Sequence, residues 1–251
     1  INGDGSIRLI YDGTSAHANG EASEDRQTAT SVYNSSYNDN AYVGYMYGTP
    51  GSTTYDATHA NTNDSTIKTY LDNWYKINIE DKGLSSYISD TLFCNDRSFG
   101  SSNSGTGAGT SGTYYRWYGG PWGGSSSSHQ YPRLTCSQQN DRFTVDDEIT
   151  GNGDLIYPIG LVNTDEVVLA GGYSTTNSVY YLYTGNYYWT MSPIGFNGFN
   201  ADVRRVDSNG GVSSSSTVRG SEGVRPVINL KADSLKSGDG SASNPYTVES
   251  V

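Results

Sequence analysis

Two cysteines, Cys94 and Cys136, bracket the longest aperiodic stretch of this 251-residue chain, and that bracket limits what it can fold into. Residues 100–131 are rich in Gly and Ser yet hold Tyr114, Tyr115, Trp117, Tyr118 and Trp122. A Gly/Ser tract alone reads as a flexible linker. A linker has no use for two tryptophans, so this is either a surface loop pinned by its aromatics or part of a binding surface. A disulfide between the cysteines makes it a tethered loop inside one domain, residues 1–251. It closes about 43 residues, worth roughly 4 kcal/mol in the chain-entropy model. It also implies an oxidising, extracellular setting. The other readings are a metal site and a catalytic Cys–His pair. A metal site needs His or carboxylate partners at short spacing. His17, His59 and His129 sit among Gly, Ser, Thr and Asn and form no ligand pattern.

Charge narrows the partners. The net charge is −11, with 15 Lys+Arg and no basic cluster, so nucleic acid is not expected. An anionic membrane surface is disfavoured for the same reason. No apolar run approaches the ~20 residues of a membrane span. The chain starts at Ile1 without Met or signal peptide, which reads as a mature fragment with any pilus or surface anchor lying upstream. Tyrosine dominates the aromatics, 22 against 5 Phe, and Ser, Gly and Asn abound. That mixture is typical of binding loops, where Tyr offers large contact area at low entropy cost. It also fits a chain of many strands.

The pattern predicts few helices and many short strands. Ile7–Tyr11 and 41–48 read as strands, with loop between at 14–40. Residues 61–79 carry the clearest helix, capped by Asp64 or Ser65, with Ile67, Tyr70, Leu71 and Trp74 on one face. A second, shorter helix is expected over 83–93. Residues 142–147 read as a strand. Residues 163–172 read as a short helix capped by Thr164, with Asp165 and Glu166 in its first turn. Residues 180–183, 187–193, 200–212 and 223–230 complete the expected strands. Residues 237–249 close the chain with turns and an edge strand. The sum is an α+β single domain, two early helices packed on a small antiparallel sheet with long irregular loops.

Chemical motifs are sparse. GxSxG, HExxH and the phosphate-cradling Gly loop are absent. NGDG, GNGD and SGDG hint at calcium but lack the alternating oxygens and bidentate acid of a calcium loop, so turns are expected. Asp146, Asp147 and Glu148 are consecutive acids with a solvated edge as their default reading.

The order of pieces "YISDTLFCNDRSF", "NTDEVVLAGG", "YYWTMSP" (187–193), "GVRPVINL" (223–230) and "GDGSASNPYTV" resembles a bacterial surface-protein family with a C-type-lectin-like fold. That fold is related to the formylglycine-generating enzyme. The resemblance spans roughly residues 1–249. Such domains usually carry another strand before "INGDGSIRLIYDG", so the chain is expected to begin one strand late. The fold is shared with variable proteins of diversity-generating retroelements. In those, the resemblance implies a C-terminal segment mutated at adenine-rich codons and displayed on a ligand-facing surface. The corresponding segment here is 194–222, within a ligand-binding stretch 187–230. In it Ala201, Val203 and Val206 face inward, and Asp202, Arg204, Arg205 and Asp207 face solvent. The EPN, QPD and WND motifs of animal C-type lectins are missing, so calcium-dependent sugar binding does not carry over. The cysteines match no enzyme pattern of the related fold, so catalysis does not carry over and no cofactor is implied.

The leading expectation is therefore an extracellular module on a bacterial surface or phage particle that recognises a protein or glycan. Aromatics and Arg dominate such interfaces. The expected contacts are Tyr187, Tyr188, Ile194, Phe196, Phe199, Asn200, Asp202, Arg204, Arg205 and Asp207, with Tyr115, Trp117 and Trp122 as an adjacent wall. Trp189 is expected in the core, and Arg225 as an internal anchor. A second expectation is a glycan hydrolase using acids among Asp146, Asp147, Glu148 and Asp202. A third is a structural tip subunit of a pilus or phage fibre.

Overall fold

The computed structural model describes residues 2–97, 132, 134–173, 175–212 and 215–248. Its strands are β1 (Ile7–Ile10), β2 (Ala29–Val32), β3 (Met46–Tyr47), β4 (Asn63–Asp64), β5 (Phe93–Cys94), β6 (Arg142–Phe143), β7 (Tyr188–Phe196), β8 (Ala201–Val206), β9 (Ser215–Thr217), β10 (Ser221–Val224), β11 (Val227–Leu230), β12 (Leu235–Ser237) and β13 (Thr247–Val248). The α-helices are α1 (Tyr55–Thr58), α2 (Thr66–Tyr75) and α3 (Thr164–Leu169). A five-stranded sheet, ordered β2-β10-β7-β8-β9, is the largest layer, and four two-stranded ladders surround it. The architecture is mixed α+β with few helices and several small sheets. Among the described residues no helix is long and apolar enough to cross a membrane.

Local signals held where the period was strong. Helix α2 starts behind Ser65, whose hydroxyl accepts from Lys68 N, and buries Ile67 and Leu71. It runs on into a wider, π-type turn over Lys76–Glu80. Trp74 is half-buried and meets Tyr11 edge-on at 6.2 Å. The α3 cap is Asn163, not Thr164. Its side chain accepts from Glu166 N while Glu166 accepts from Asn163 N, a reciprocal capping box.

Elsewhere long-range pairing overrode local pattern. Residues 83–93 form only a 3-10 turn, Ser85–Tyr87, because Ile88 bridges Leu230 and Phe93 pairs with Phe143. The second early helix is therefore absent. The strand expected over 41–48 is a 3-10 turn, Asn40–Val43, capped by Asp39, followed by the short β3. Conversely the expected loop 14–40 contains β2, paired with β10 some 190 residues away. Residues 180–183 form no strand. Their carbonyls are taken by arginines: Arg26 donates to Tyr181 O and Tyr183 O, and Arg225 donates to Leu182 O.

"GVRPVINL" is two strands in two sheets. Val224 ends β10 in the large sheet, Pro226 withholds an N–H, and β11 pairs antiparallel with β1. Between them Arg225 is 1% exposed. It donates to Tyr11 O at 3.0 Å, Leu182 O at 3.0 Å and Asp12 at 2.5 Å. The core centres on β7, where Trp189 is fully buried, donates to Ser31 O at 2.8 Å and meets Tyr33 edge-on. Cys94 and Cys136 are joined as a disulfide.

Candidate functional site

The β7–β8 hairpin and the turn after β9 carry the polar–aromatic surface expected from 194–222. Successive extended residues point to opposite faces. Tyr187 is 42% exposed whereas Tyr188 is fully buried. Arg205, opposite Trp189 in the ladder, lays its guanidinium over the Tyr187 ring at 4.1 Å. Its Nε donates to Asp207 at 3.1 Å and its Nη1 to Glu222 at 2.5 Å. Glu222 also accepts from Ser216 Oγ at 2.8 Å. Burial opposes the charge on Arg205, but the two carboxylates outweigh it and raise the guanidinium's pKa. The result is a partly exposed cation held in one orientation on an aromatic ring.

The hairpin tip forms the other end. Asn197 Oδ1 accepts from Phe199 N and Asn200 N, closing the turn and leaving Phe199 80% exposed. Gly198 sits there at φ 92°, where a side chain would be strained. Asn197 Nδ2 donates to Asp202 at 3.2 Å. Burial pushes the Asp202 carboxyl up, and that hydrogen bond only partly opposes it. Beside the tip, Ala201 N donates to Tyr37 O, and Arg219 stacks on the Tyr37 ring at 4.2 Å. Phe199 and Arg205 are six residues apart along extended chain, so the surface runs roughly 20 Å.

The expected residues divide. Ala201, Val203 and Val206 are buried as expected, Tyr187 and Phe199 reach solvent, and Arg205 is half-buried, its side chain 22% exposed. Asn200, Asp202, Asp207 and Ile194 are half-buried. Tyr188, Phe196 and Arg204 do not belong to the surface: all three are buried. β7 is the middle strand of the large sheet with both faces covered, so Tyr188 and Phe196 are buried like nearly all of their strand. In β8 the cause is register: the ladder to β7 shifts twice between Trp189 and Gly195, with Pro193 inside the irregular stretch, so strict alternation fails and Arg204 is buried beside Val203. Tyr115, Trp117 and Trp122 lie outside the described residues. The sequence reading missed Tyr37 and Arg219. Tyr37 had no local signal, since its loop reaches the tip only through the tertiary fold.

The acids proposed for hydrolysis lie in two parts of the fold, Asp146, Asp147 and Glu148 after β6 and Asp202 in β8. Asp147 closes a turn, accepting from Ile149 N, Thr150 N and the Thr150 hydroxyl, and the last holds its carboxyl below the usual range. Asp202 belongs to the hairpin. The disulfide removes the catalytic Cys–His reading. Among the described residues no three His, Cys, Asp or Glu side chains are placed to hold a metal ion.

A family model described as a domain of unknown function (DUF6273) matches residues 162–232. That span is under a third of the chain. It takes in α3 and β7 to β11, hence both Tyr187–Arg205 and the buried Arg225. Comparison with curated proteins and with solved structures finds no match.

Proposed function

We propose that this chain is an extracellular ligand-binding module with a C-type-lectin-like fold, similar to the variable proteins of diversity-generating retroelements, on a bacterial surface or phage particle. A protein or glycan ligand lies along β8, between Arg205 at one end and Phe199 at the other. The observation that carries this reading is the Tyr187–Arg205 stack. It is partly exposed, pre-oriented by Asp207 and Glu222, and built from the two residue types that dominate interface energetics. A side chain already held in place loses little entropy on binding. Segment 194–222 supplies the hairpin tip, β8, β9 and the Arg219 turn, so diversification there would alter ligand contacts while the buried Val203 and Val206 hold the scaffold.

The test is a screen of Tyr187→Ala, Arg205→Ala and Phe199→Ala against glycan and surface-protein arrays that the wild-type chain labels. Loss of labelling at unchanged melting temperature supports the reading; full retention by all three sinks it. Sibling sequences differing only within 194–222, at adenine-derived codons, would support diversification. Differences scattered over the chain would oppose it.

A further inference from the structure

A cavity of about 610 Å³ lies between α1 and the loops at 138–140 and 148–154. That volume lies in the range of small-molecule sites. We infer that this cavity, lined by Tyr55, His59, Asn61, Gln139, Glu148 and Asp154, binds an organic cation through its ammonium or guanidinium N–H groups.

The argument rests on which polar groups the fold leaves over. The floor is rigid. Arg97, fully buried, donates to Asp141, Met46 O, Asn140 O and Asn61 Oδ1 at 2.6–2.9 Å. Asn61, in the left-handed region at φ 52°, sends its amide N–H groups to Asn140 O and Asp154. Asn140 donates to His59 O, Asn152 donates to Asn140 O, and Gln139 donates to Glu148 O and Gly151 O. Four of the five lining amides thus turn an N–H onto the protein itself; the fifth, Gln138, is exposed and makes no such bond among the described residues.

What remains is mostly acceptors. Asp56, Glu148 and Asp154 bring three carboxylates, and among the described residues no Lys or Arg lines the space. His59 adds a lone pair. Its Nδ1 faces Tyr55 O at 2.8 Å, so Nδ1 carries the proton and Nε2 accepts. The ring is 1% exposed, and Nε2 has no hydrogen-bond partner among the described residues. Burial, with Arg97 nearby, lowers its pKa to about 3, so it stays neutral. The ring stacks on Tyr55 at 3.9 Å, which fixes this wall.

A sugar hydroxyl both donates and accepts, and would find few donors here. A metal ion needs clustered ligands, which are absent among the described residues. An alkylammonium or guanidinium brings only donors and offsets uncompensated negative charge.

Calorimetry on the 251-residue chain at low ionic strength tests this with spermidine, with acetyl-Gly-Lys-Gly-amide, and with N-acetylglucosamine as neutral control. Saturable binding of either amine supports the site; spermidine alone indicates a free amine, and the tripeptide a peptide side chain. Glu148→Gln with Asp154→Asn weakens that binding roughly tenfold or more, through loss of Coulomb attraction. Asp202→Asn, on the other surface, leaves it unchanged. The Glu148 side chain makes no hydrogen bond among the described residues, so Glu148→Gln alone serves if the double variant fails to fold. No saturable amine binding, equal binding by the variants, or displacement of the amine by N-acetylglucosamine overturns the inference. Failure here leaves the Tyr187–Arg205 surface untouched, because the two sites share no residue.

Discussion

Arg205 and Arg225 use the same chemistry on two faces of one molecule. Each guanidinium stacks on a tyrosine, Arg205 on Tyr187 and Arg225 on its neighbour Tyr188, and each pairs with carboxylate. Arg225 is closed in. Its remaining donors go to the carbonyls of Tyr11 and Leu182, and Asp12 is shared with the buried Arg26. It ties the chain's first strand region, the 180–183 turn and the β10–β11 break into one unit. Arg205 ties only β8 to β10 and keeps an edge in water. Motif chemistry therefore does not separate an anchor from a contact. Solvent does, because a buried guanidinium must satisfy its donors internally.

Four measurements put that contrast to the test. The interior's intolerance of charge is largest at His59. Its folded pKa of about 3 lies below the ordinary histidine value of 6.5, so the unfolded chain binds its proton first. Stability is fully present above pH 6.5 and falls as pH drops toward 3, by about 4 kcal/mol over the window. Urea midpoints from pH 7 to 4 should show a slope that His59→Phe flattens.

Next, Arg225→Ala should lower unfolding free energy by about 3 kcal/mol, because Tyr11 O loses its guanidinium donor, although Tyr188 Oη still donates to Leu182 O and Arg26 still holds Asp12. A loss near zero in urea denaturation would erase the distinction between the two arginines. Third, Gly223 lies between the faces. A Cβ there would stand 1.9 Å from Gln27 Oε1 and 2.7 Å from Tyr187 O. Gly223→Ala should cost about 2 kcal/mol by thermal melting, as overpacking does, and should displace Tyr187. Smallest, Phe199→Ala should change stability by about 1 kcal/mol or less, as exposed groups do, and Arg205→Ala, whose guanidinium is only partly exposed, by less than Arg225→Ala. A melting shift as large as that of Arg225→Ala would make Arg205 structural.

The parts legible in sequence share one property: their signal is local. Ile67 and Leu71 at helical spacing behind Ser65 marked α2, and Ala201, Val203 and Val206 marked the inner face of β8. Cys94 and Cys136 marked the tether. That Tyr187 and Phe199 reach solvent, and Arg205 in part, followed from residue type and place. The failures were non-local. Residues 83–93 had helical spacing yet paired with Leu230 and Phe143. The 180–183 run had strand composition yet gave its carbonyls to Arg26 and Arg225. Tyr37, and the cavity under Tyr55 and His59, left no trace in any short window.

By itself, then, the sequence determined the α+β class, the tether, the strongest helix and which segment carries the exposed aromatic and basic residues. The tertiary structure alone decided that Arg204 turns in while Arg205 turns out, that "GVRPVINL" divides at Arg225–Pro226 between two sheets, and that the amides around His59 face the protein and leave acceptors to the cavity. The reason is that burial and hydrogen-bond satisfaction are set by partners far away in the chain. Spacing along the chain reports only which residues lie on the same side of their own element.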